Sequence, residues 1–359
     1  MPRSKRKSEE ILFRDALHML SPGSTIREAV SHILQSGTGA LLCFGPVKRV
    51  AALAEGGIEI DTPTTPQLLY ELCKMDGAIL LSPDGSSILS ANKFLKPRST
   101  IASLETGTRH RTAERMAKQA NCVVVAVSER RSSVTVFVGG RKHTLDSIPT
   151  LLNRTSQILQ TLEKFIMALN QDMLDLSTRE FQDMVTIFDV SRTIQRYERV
   201  MRIARETDPY IIELGQEGRL VEMQMNELMA PVTDAVLVIR DYYRKKGKFS
   251  FKQIQQRLSE METDDLANLG NISQLLGYSA NLRTVDTYLS SRGYRVLTQT
   301  NRLTSQIIEN LVDRFGTLQQ IMRSPKEDLV EIEGVGEVLA ERIRVGLNLL
   351  QNQLALERR

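Results

Sequence analysis

Apolar positions change their spacing along the chain, and the changes divide it into three stretches. Near the start they recur at three and four: Ile11, Leu12, Leu17 and Leu20 predict an amphipathic helix, Ser21-Pro22-Gly23 breaks it, and residues 26–34 predict a second. Residues 40–44 form a continuous apolar run, the pattern of a buried strand. After Gly56-Gly57, residues 67–73 read as a helix. Residues 78–81 and 88–90 read as a hairpin around Pro83-Asp84-Gly85, residues 112–119 as a helix, and the β-branched runs 123–127 and 134–138 as a second hairpin. Helices and hairpins do not alternate as a doubly wound parallel sheet requires, so the pattern predicts a mixed α/β domain ending near Pro149.

From about residue 151 the period becomes purely helical. Ile158, Leu159, Leu162, Phe165, Ile166, Leu169, Met173 and Leu176 mark one face of a long helix, and further runs cover 180–205 and 220–243. No cluster of polar residues suggests chemistry here, and the stretch reads as a spine or assembly element. It ends in a run, residues 240–252, with six cations, four aromatics and one acid. That run suits contact with a nucleic-acid backbone or, equally, a solvated helix end.

Charge and composition narrow the classes. The net charge of +4 requires any nucleic-acid surface to be local. No apolar run approaches the roughly 20 residues of a membrane helix. The basic start, with Arg3, Lys5, Arg6 and Lys7, leads into Glu9 and Glu10, so it reads as a frayed tail and not as a signal peptide. Cys43, Cys73 and Cys122 are each set among apolar residues, which suits reduced core thiols and a cytoplasmic protein. The four histidines have no metal-ligand spacing, so a metal would need oxygen ligands.

Near the C-terminus, Ser324-Pro325-Lys326-Glu327 has the pattern of a capping box and starts a helix through Leu329, Val330 and Ile332. Gly334-Val335-Gly336 follows, then a second helix with Leu339, Ala340, Ile343 and Leu347. The glycines let the turn bring backbone N–H groups close to a phosphate, while Val335 pins it to the core. This resembles the helix-hairpin-helix family of sequence-independent DNA binders, which implies DNA contact at Gly334, Val335 and Gly336. From residue 280 onward there are eleven Lys or Arg against ten Asp or Glu, so affinity would need multivalency or the basic run upstream.

The densest candidate chemistry is residues 105–115, Glu-Thr-Gly-Thr-Arg-His-Arg-Thr-Ala-Glu-Arg. Arginine forks and first-turn helix amides both bind phosphate oxygens. No G-x-x-x-x-G-K-[ST] occurs, so this is not a P-loop, and Gly37-Thr-Gly39 is too little for a dinucleotide fold. Asp76-Gly77-Ala78, Phe94-Leu-Lys-Pro-Arg98 and Gly107-Thr-Arg-His-Arg, in that order, resemble the diadenylate cyclase domain. With the hairpin at the far end, almost the whole chain resembles the family of bacterial DNA integrity scanning proteins.

That resemblance implies a multidomain α and α/β chain: a mixed α/β cyclase domain over residues 1–149, an all-α spine over 150–283 and a helix-hairpin-helix domain over 284–359. It implies condensation of two ATP into cyclic di-AMP with release of two pyrophosphates. It also implies a homo-octamer whose cyclase domains face each other in pairs, no membrane partner and a nucleoid-associated cytoplasmic location. Branched or junction DNA is expected to lower the activity. Asp76 would hold Mg²⁺ or Mn²⁺ near the attacking hydroxyl. Thr108, Arg109, His110, Arg111 and Thr112 would contact phosphates, with His110 a donor or a proton carrier. Gly77 would let the nucleotide approach, Leu95 would pack on adenine, and Ser128 would lie at the site. Ser128-Glu129 is followed by Arg130 where many relatives carry a second acid, which leaves the role of Glu129 open. The competing class is a structural DNA-binding protein whose first domain holds a nucleotide without turning it over.

Overall fold

A computed structural model describes residues 3–245, 247–280, 288–300 and 303–356, with the backbone alone for 3–7. Lys246 of the basic run and the 283/284 boundary lie outside these. The chain divides into two compact units, one of residues 1–157 and 207–223, the other of 158–206 and 224–359.

The first unit is built on a mixed sheet. Helices α1 (Arg3–Met19) and α2 (Thr25–Gln35) lead into strand β1 (Ala40–Phe44), helix α3 (Val47–Ala51), strands β2 (Ala54–Glu55) and β3 (Ile58–Pro63), and helix α4 (Pro66–Cys73). Strands β4 (Ala78–Leu81) and β5 (Ser87–Leu95) then precede helix α5 (Thr108–Ala120) and strands β6 (Val123–Ser128), β7 (Ser133–Val138) and β8 (Arg141–Thr144). The strand order is β2-β5-β4-β1-β6-β7-β8, with β3 also on β5, and β1 runs parallel to β4 while every other pair is antiparallel. Side chains alternate across β1. Leu42 and Phe44 enter the core made with α1, α2 and α4, and Leu41 and Cys43 enter the core under α5. Two covered faces explain why β1 and β6 are continuously apolar. Cys43 and Cys122 are buried free thiols, Sγ to Sγ 3.8 Å.

Both hairpins, the β1 strand and α4 form where the pattern puts them. Two details at the start differ. The α1 backbone is helical from Arg3, where a frayed tail was expected, and Ile11 is on its exposed side, whereas Phe13, Ala16 and Leu17 face the core.

In the second half of the chain the long helices are α6 (Ile148–Phe181) and α7 (Ile187–Leu214). The expected face of α6 is buried through Leu159, Leu162, Ile166, Leu169 and Leu176. The break falls later than periodicity suggests, at residues 182–186, where Asp183 adopts a left-handed φ of 58° and β9 (Val185–Thr186) forms. The expected run 220–243 is three pieces: α8 (Arg219–Met229), a 3₁₀ stretch containing Pro231, and α9 (Leu237–Tyr242). Proline lacks the amide that an α-helix needs at that point. Helices α10 (Phe251–Glu260), α11 (Thr263–Ala267) and α12 (Leu269–Leu276) complete a core with Leu176, Val190, Ile194 and Tyr242. Strand β10 (Tyr288–Leu289) pairs with β9, a short β element inside a region whose sequence reads as all helical.

The C-terminal helices are α13 (Tyr294–Thr298), α14 (Ser305–Phe315), α15 (Leu318–Arg323), α16 (Lys326–Val330) and α17 (Glu337–Leu356). They are held to the linker helices by a buried ionic cluster. Arg295 of α13 pairs with Glu180 of α6, and Tyr242 donates to Glu180 at 2.8 Å. Asp241 accepts from the N–H groups of Tyr294 and Arg295 at 2.6 and 3.1 Å. Burial, reinforced by the charge of Glu180, pushes the Asp241 carboxyl up, and Arg295 opposes the shift.

Candidate functional site

Strand register brings the sequence motifs to one edge of the sheet. In the antiparallel β1–β6 pair Ala40 faces Val127, so Gly39 and Ser128 leave the sheet side by side. In the parallel β1–β4 pair Leu42 faces Ile79, which puts Asp76-Gly77 level with Gly39. In the antiparallel β4–β5 pair Ala78 faces Lys93, so Phe94 and Leu95 run past the start of β4. Gly77 has φ +92°, and a Cβ there would lie 3.0 Å from the Asn92 carbonyl carbon and the Lys93 oxygen. Its backbone conformation and the space around it both exclude a side chain.

Helix α5 delivers the basic motif to this edge. Thr108, Arg109, His110, Arg111 and Thr112 form its first turn, four residues ahead of the expected start. Gly107 is the N-cap without a side-chain cap, and the turn has no acidic residue. Arg111 N donates to Gly107 O at 2.9 Å, so the amides of Thr108, Arg109 and His110 have no helical acceptor and are available to an anion. The preceding loop is clamped along α5. Arg98 N donates to Gln119 Oε1 at 2.8 Å, Arg115 Nε to Ile101 O at 2.8 Å, and Lys118 Nζ to Ala102 O at 2.9 Å.

The two arginines of the motif have different surroundings. Arg111 donates to the carbonyls of Thr106 at 2.9 Å and Glu105 at 3.3 Å, which fixes the loop. Arg109 is half-buried and has no carboxylate partner among the described residues. Its guanidinium occupies the space over Gly39, where a Cβ would fall 2.0 Å from Nη1. Burial pushes the Cys73 thiol up to about 12, and the nearby charge of Arg109 pulls the other way.

His110 stands edge-on to Phe137, centroids 6.2 Å apart. Burial holds its pKa below the usual imidazole value. Glu105 opposes the shift, and Lys142, Arg131 and Arg109 add to it. At neutral pH the ring is therefore uncharged, with one donor and one acceptor nitrogen. Lys142 and Glu105 form an ion pair beside it. Asp76 is exposed and makes no hydrogen bond or ion pair among the described residues. Ser128 is half-buried, and its Oγ accepts from Arg131 N at 3.4 Å. Thr108 is exposed and Thr112 half-buried. Leu95 is only 6% exposed and packs in the core under α5, whereas its neighbour Phe94 is 65% exposed.

No group of three or more His, Cys, Asp or Glu side chains that could hold a metal occurs among the described residues. A free Asp76 carboxylate nevertheless suits a hard cation such as Mg²⁺, which takes one or two carboxylates and completes its shell with phosphate oxygens and water.

Sequence reasoning missed Gly39, the Glu105–Lys142 pair and Arg131. Gly39 carries no motif of its own, and its role depends on a side chain 70 positions away that only the sheet register brings to it.

At the far end of the chain, α16 and α17 flank a turn at residues 331–336. Gly334 has φ +88°, Val335 is buried, and Gly336 O accepts from Leu339 N and Ala340 N at 3.0 and 2.9 Å. Gly334 and Gly336 are exposed. The expected capping box does not form. Pro325 is itself the N-cap of α16, and Ser324 Oγ donates back to Gln320 O at 2.7 Å, closing α15 instead.

Two family models match. The "DisA bacterial checkpoint controller nucleotide-binding" model covers residues 27–142, and the "DisA bacterial checkpoint controller linker region" model covers 145–285. The DNA integrity scanning protein DisA of Clostridium kluyveri is 43% identical over 353 residues, 98% of this chain and 99% of that one. Its counterpart from Clostridium perfringens strain SM101 is 42% identical over 95% of this chain and 96% of its own. Among solved structures, DacA from Staphylococcus aureus is 25% identical over 39% of this chain and 90% of its own, at a TM-score of 0.29, too low to compare folds.

Proposed function

Since the chain belongs to the DisA family of DNA integrity scanning proteins and is a diadenylate cyclase, we propose that the sheet edge at Asp76, Gly77, Arg109 and Ser128 binds one ATP and presents it to a second subunit. The observation that carries this reading is Arg109, half-buried over Gly39 at the start of a helix, where among the described residues it has no acidic partner and the first amides have no helical acceptor.

Cyclic di-AMP has two phosphodiester bonds, each made when a ribose 3′-hydroxyl attacks the α-phosphate of the other nucleotide and pyrophosphate leaves. One edge holds one ATP, so two must face each other, and holding both in line removes most of the entropic barrier. Thr108, Arg109 and Thr112 with the first amides of α5 orient the triphosphate, and His110 donates one ring N–H to it. Arg111 acts on the phosphates through the loop it fixes. Gly77 lets the nucleotide approach the backbone. Leu95 is turned into the core, so the exposed Phe94 beside it borders the adenine, and Ser128 closes the edge from β6.

Asp76, with the triphosphate oxygens, would hold Mg²⁺ or Mn²⁺. When bound, that ion offsets the charge on the leaving pyrophosphate and favours ionisation of the attacking hydroxyl. Asp76 would in this way favour deprotonation of the attacking hydroxyl.

The reading extends to a homo-octamer of paired cyclase domains, to segments 1–149, 150–283 and 284–359 acting as cyclase, spine and DNA-binding domain, and to branched DNA bound at Gly334, Val335 and Gly336 that lowers turnover. No helix of the described residues is long and apolar enough to cross a membrane, and a cytoplasmic, nucleoid-associated protein fits that. The test is incubation of the intact oligomer with ATP and Mg²⁺ or Mn²⁺, with and without a four-way junction, resolving cyclic from linear products. Cyclic di-AMP formed in a metal-dependent reaction and reduced by the junction is expected. Linear product alone would sink the facing-site mechanism, and tight junction binding with unchanged turnover would sink the regulatory part.

A further inference from the structure

Two groups of cations stand out in and just after the basic run that ends the spine. Arg240 pairs with Glu309 at 2.6 Å and Lys245 with Asp313 at 3.3 Å, so both are neutralised by α14. The second group is held by aromatic rings. Arg244 Cζ lies 4.7 Å from the Tyr278 centroid, Arg257 Cζ 4.1 Å from that of Phe249, and Lys248 Nζ 5.4 Å from the same ring. All three are exposed and have no acidic partner among the described residues. A ring orients a cation without cancelling its charge. Lys248, Phe249 and Arg257 line a groove of about 550 Å³ with Asn271, Gln274 and Leu275. Arg244 N donates to Leu276 O at 3.0 Å, next in sequence to Leu275 of the groove. The one acid in the groove, Glu260, accepts from Gln256.

We propose that Arg244, Lys248 and Arg257 are a second contact for the phosphodiester backbone of DNA, on the linker helices and separate from the Gly334–Gly336 turn. This rests on the reading that the chain binds DNA. Three exposed cations that keep their charge, beside amide side chains, suit the repeated negative charges of a nucleic-acid strand. The region after residue 280 is close to neutral, with eleven basic and ten acidic residues, so the backbone attraction needs a basic surface elsewhere. The Arg240 and Lys245 ion pairs tie this surface to the C-terminal helices, within the same compact unit as the turn.

The test is fluorescence anisotropy of the full chain on a labelled duplex across a salt series. It compares wild type, the triple variant Arg244→Gln/Lys248→Gln/Arg257→Gln, the single variant Lys248→Gln and a turn variant Gly334→Asp/Gly336→Asp, with circular dichroism as the check on folding. Each lost phosphate contact lowers the log–log salt slope by about 0.9. The triple variant should lose about 2 to 3 of slope and the single variant about 1, and DNA should protect Lys248 from acetylation. Unchanged slopes in the triple and single variants would overturn the linker contact even if the turn variant is impaired. A loss in those variants beside an unimpaired turn variant would sustain it and remove the turn from the DNA site. No loss in any variant would remove both. Equal protection of Lys248 by polyglutamate at matched charge would overturn the assignment to DNA.

Discussion

At the scale of single residues, the site depends on a few side chains with no competing partners. Asp76 is exposed and makes no hydrogen bond or ion pair among the described residues, so Asp76→Asn should leave the fold unchanged and ATP binding largely intact while turnover falls about 100-fold or more. Isothermal titration beside steady-state rates checks this, and a fully active variant would contradict the role. Gly39→Ala makes a different break. The new Cβ displaces the flexible end of Arg109 and comes 3.1 Å from the Val127 carbonyl oxygen, so melting should fall only slightly while KM for ATP rises by about tenfold, roughly 1.4 kcal/mol of binding. The pH profile reports on His110. Because its folded pKa is lowered, the imidazole stays neutral as pH falls through its usual range, and the acid limb of kcat/KM should lie below that range. Lys142→Gln removes a cation that depresses the ring and releases Glu105, which raises it, so the limb should move toward neutrality.

At the scale of elements, periodicity located what depends on local pattern. The β1 strand, both hairpins and the buried face of α6 follow from spacing because burial on one or two faces leaves no other register. The errors occurred where a distant contact decides. Helix α5 starts at Thr108 because the loop before it is clamped to α5 by Arg98, Arg115 and Lys118, none of which has a local signature. The Ser324-Pro325 motif predicts the start of α16, but the Ser324 hydroxyl donates to Gln320 O and closes α15. The site was legible as motifs but not as a place, since their meeting depends on the parallel β1–β4 pairing.

The ionic joint carries its own expectation. Arg295→Leu leaves Glu180 and Asp241 without their cation and should cost about 3–5 kcal/mol in urea denaturation. Asp241 has a raised folded pKa, so stability falls as pH climbs from the usual carboxylate range through that value. The variant should therefore be impaired more at pH 8 than at pH 5. Equal impairment at both would mean that the joint acts through packing and not through charge.

At the scale of the whole molecule, the proposed cyclase requires two chains, so specific activity should fall as the protein is diluted below its assembly constant. Rates measured over a wide range of enzyme concentration check this, and strict proportionality down to the monomer would refute facing sites. The buried joint also bears on how the chain can be divided. A fragment ending before Tyr288 keeps Asp241 but loses the guanidinium and the two backbone amides that oppose the upward shift of its carboxyl. Such a fragment should bind protons from neutral buffer, and calorimetry in buffers of different ionisation heat would register the uptake. The linker helices thus acquire a titration of their own once the C-terminal helices are removed.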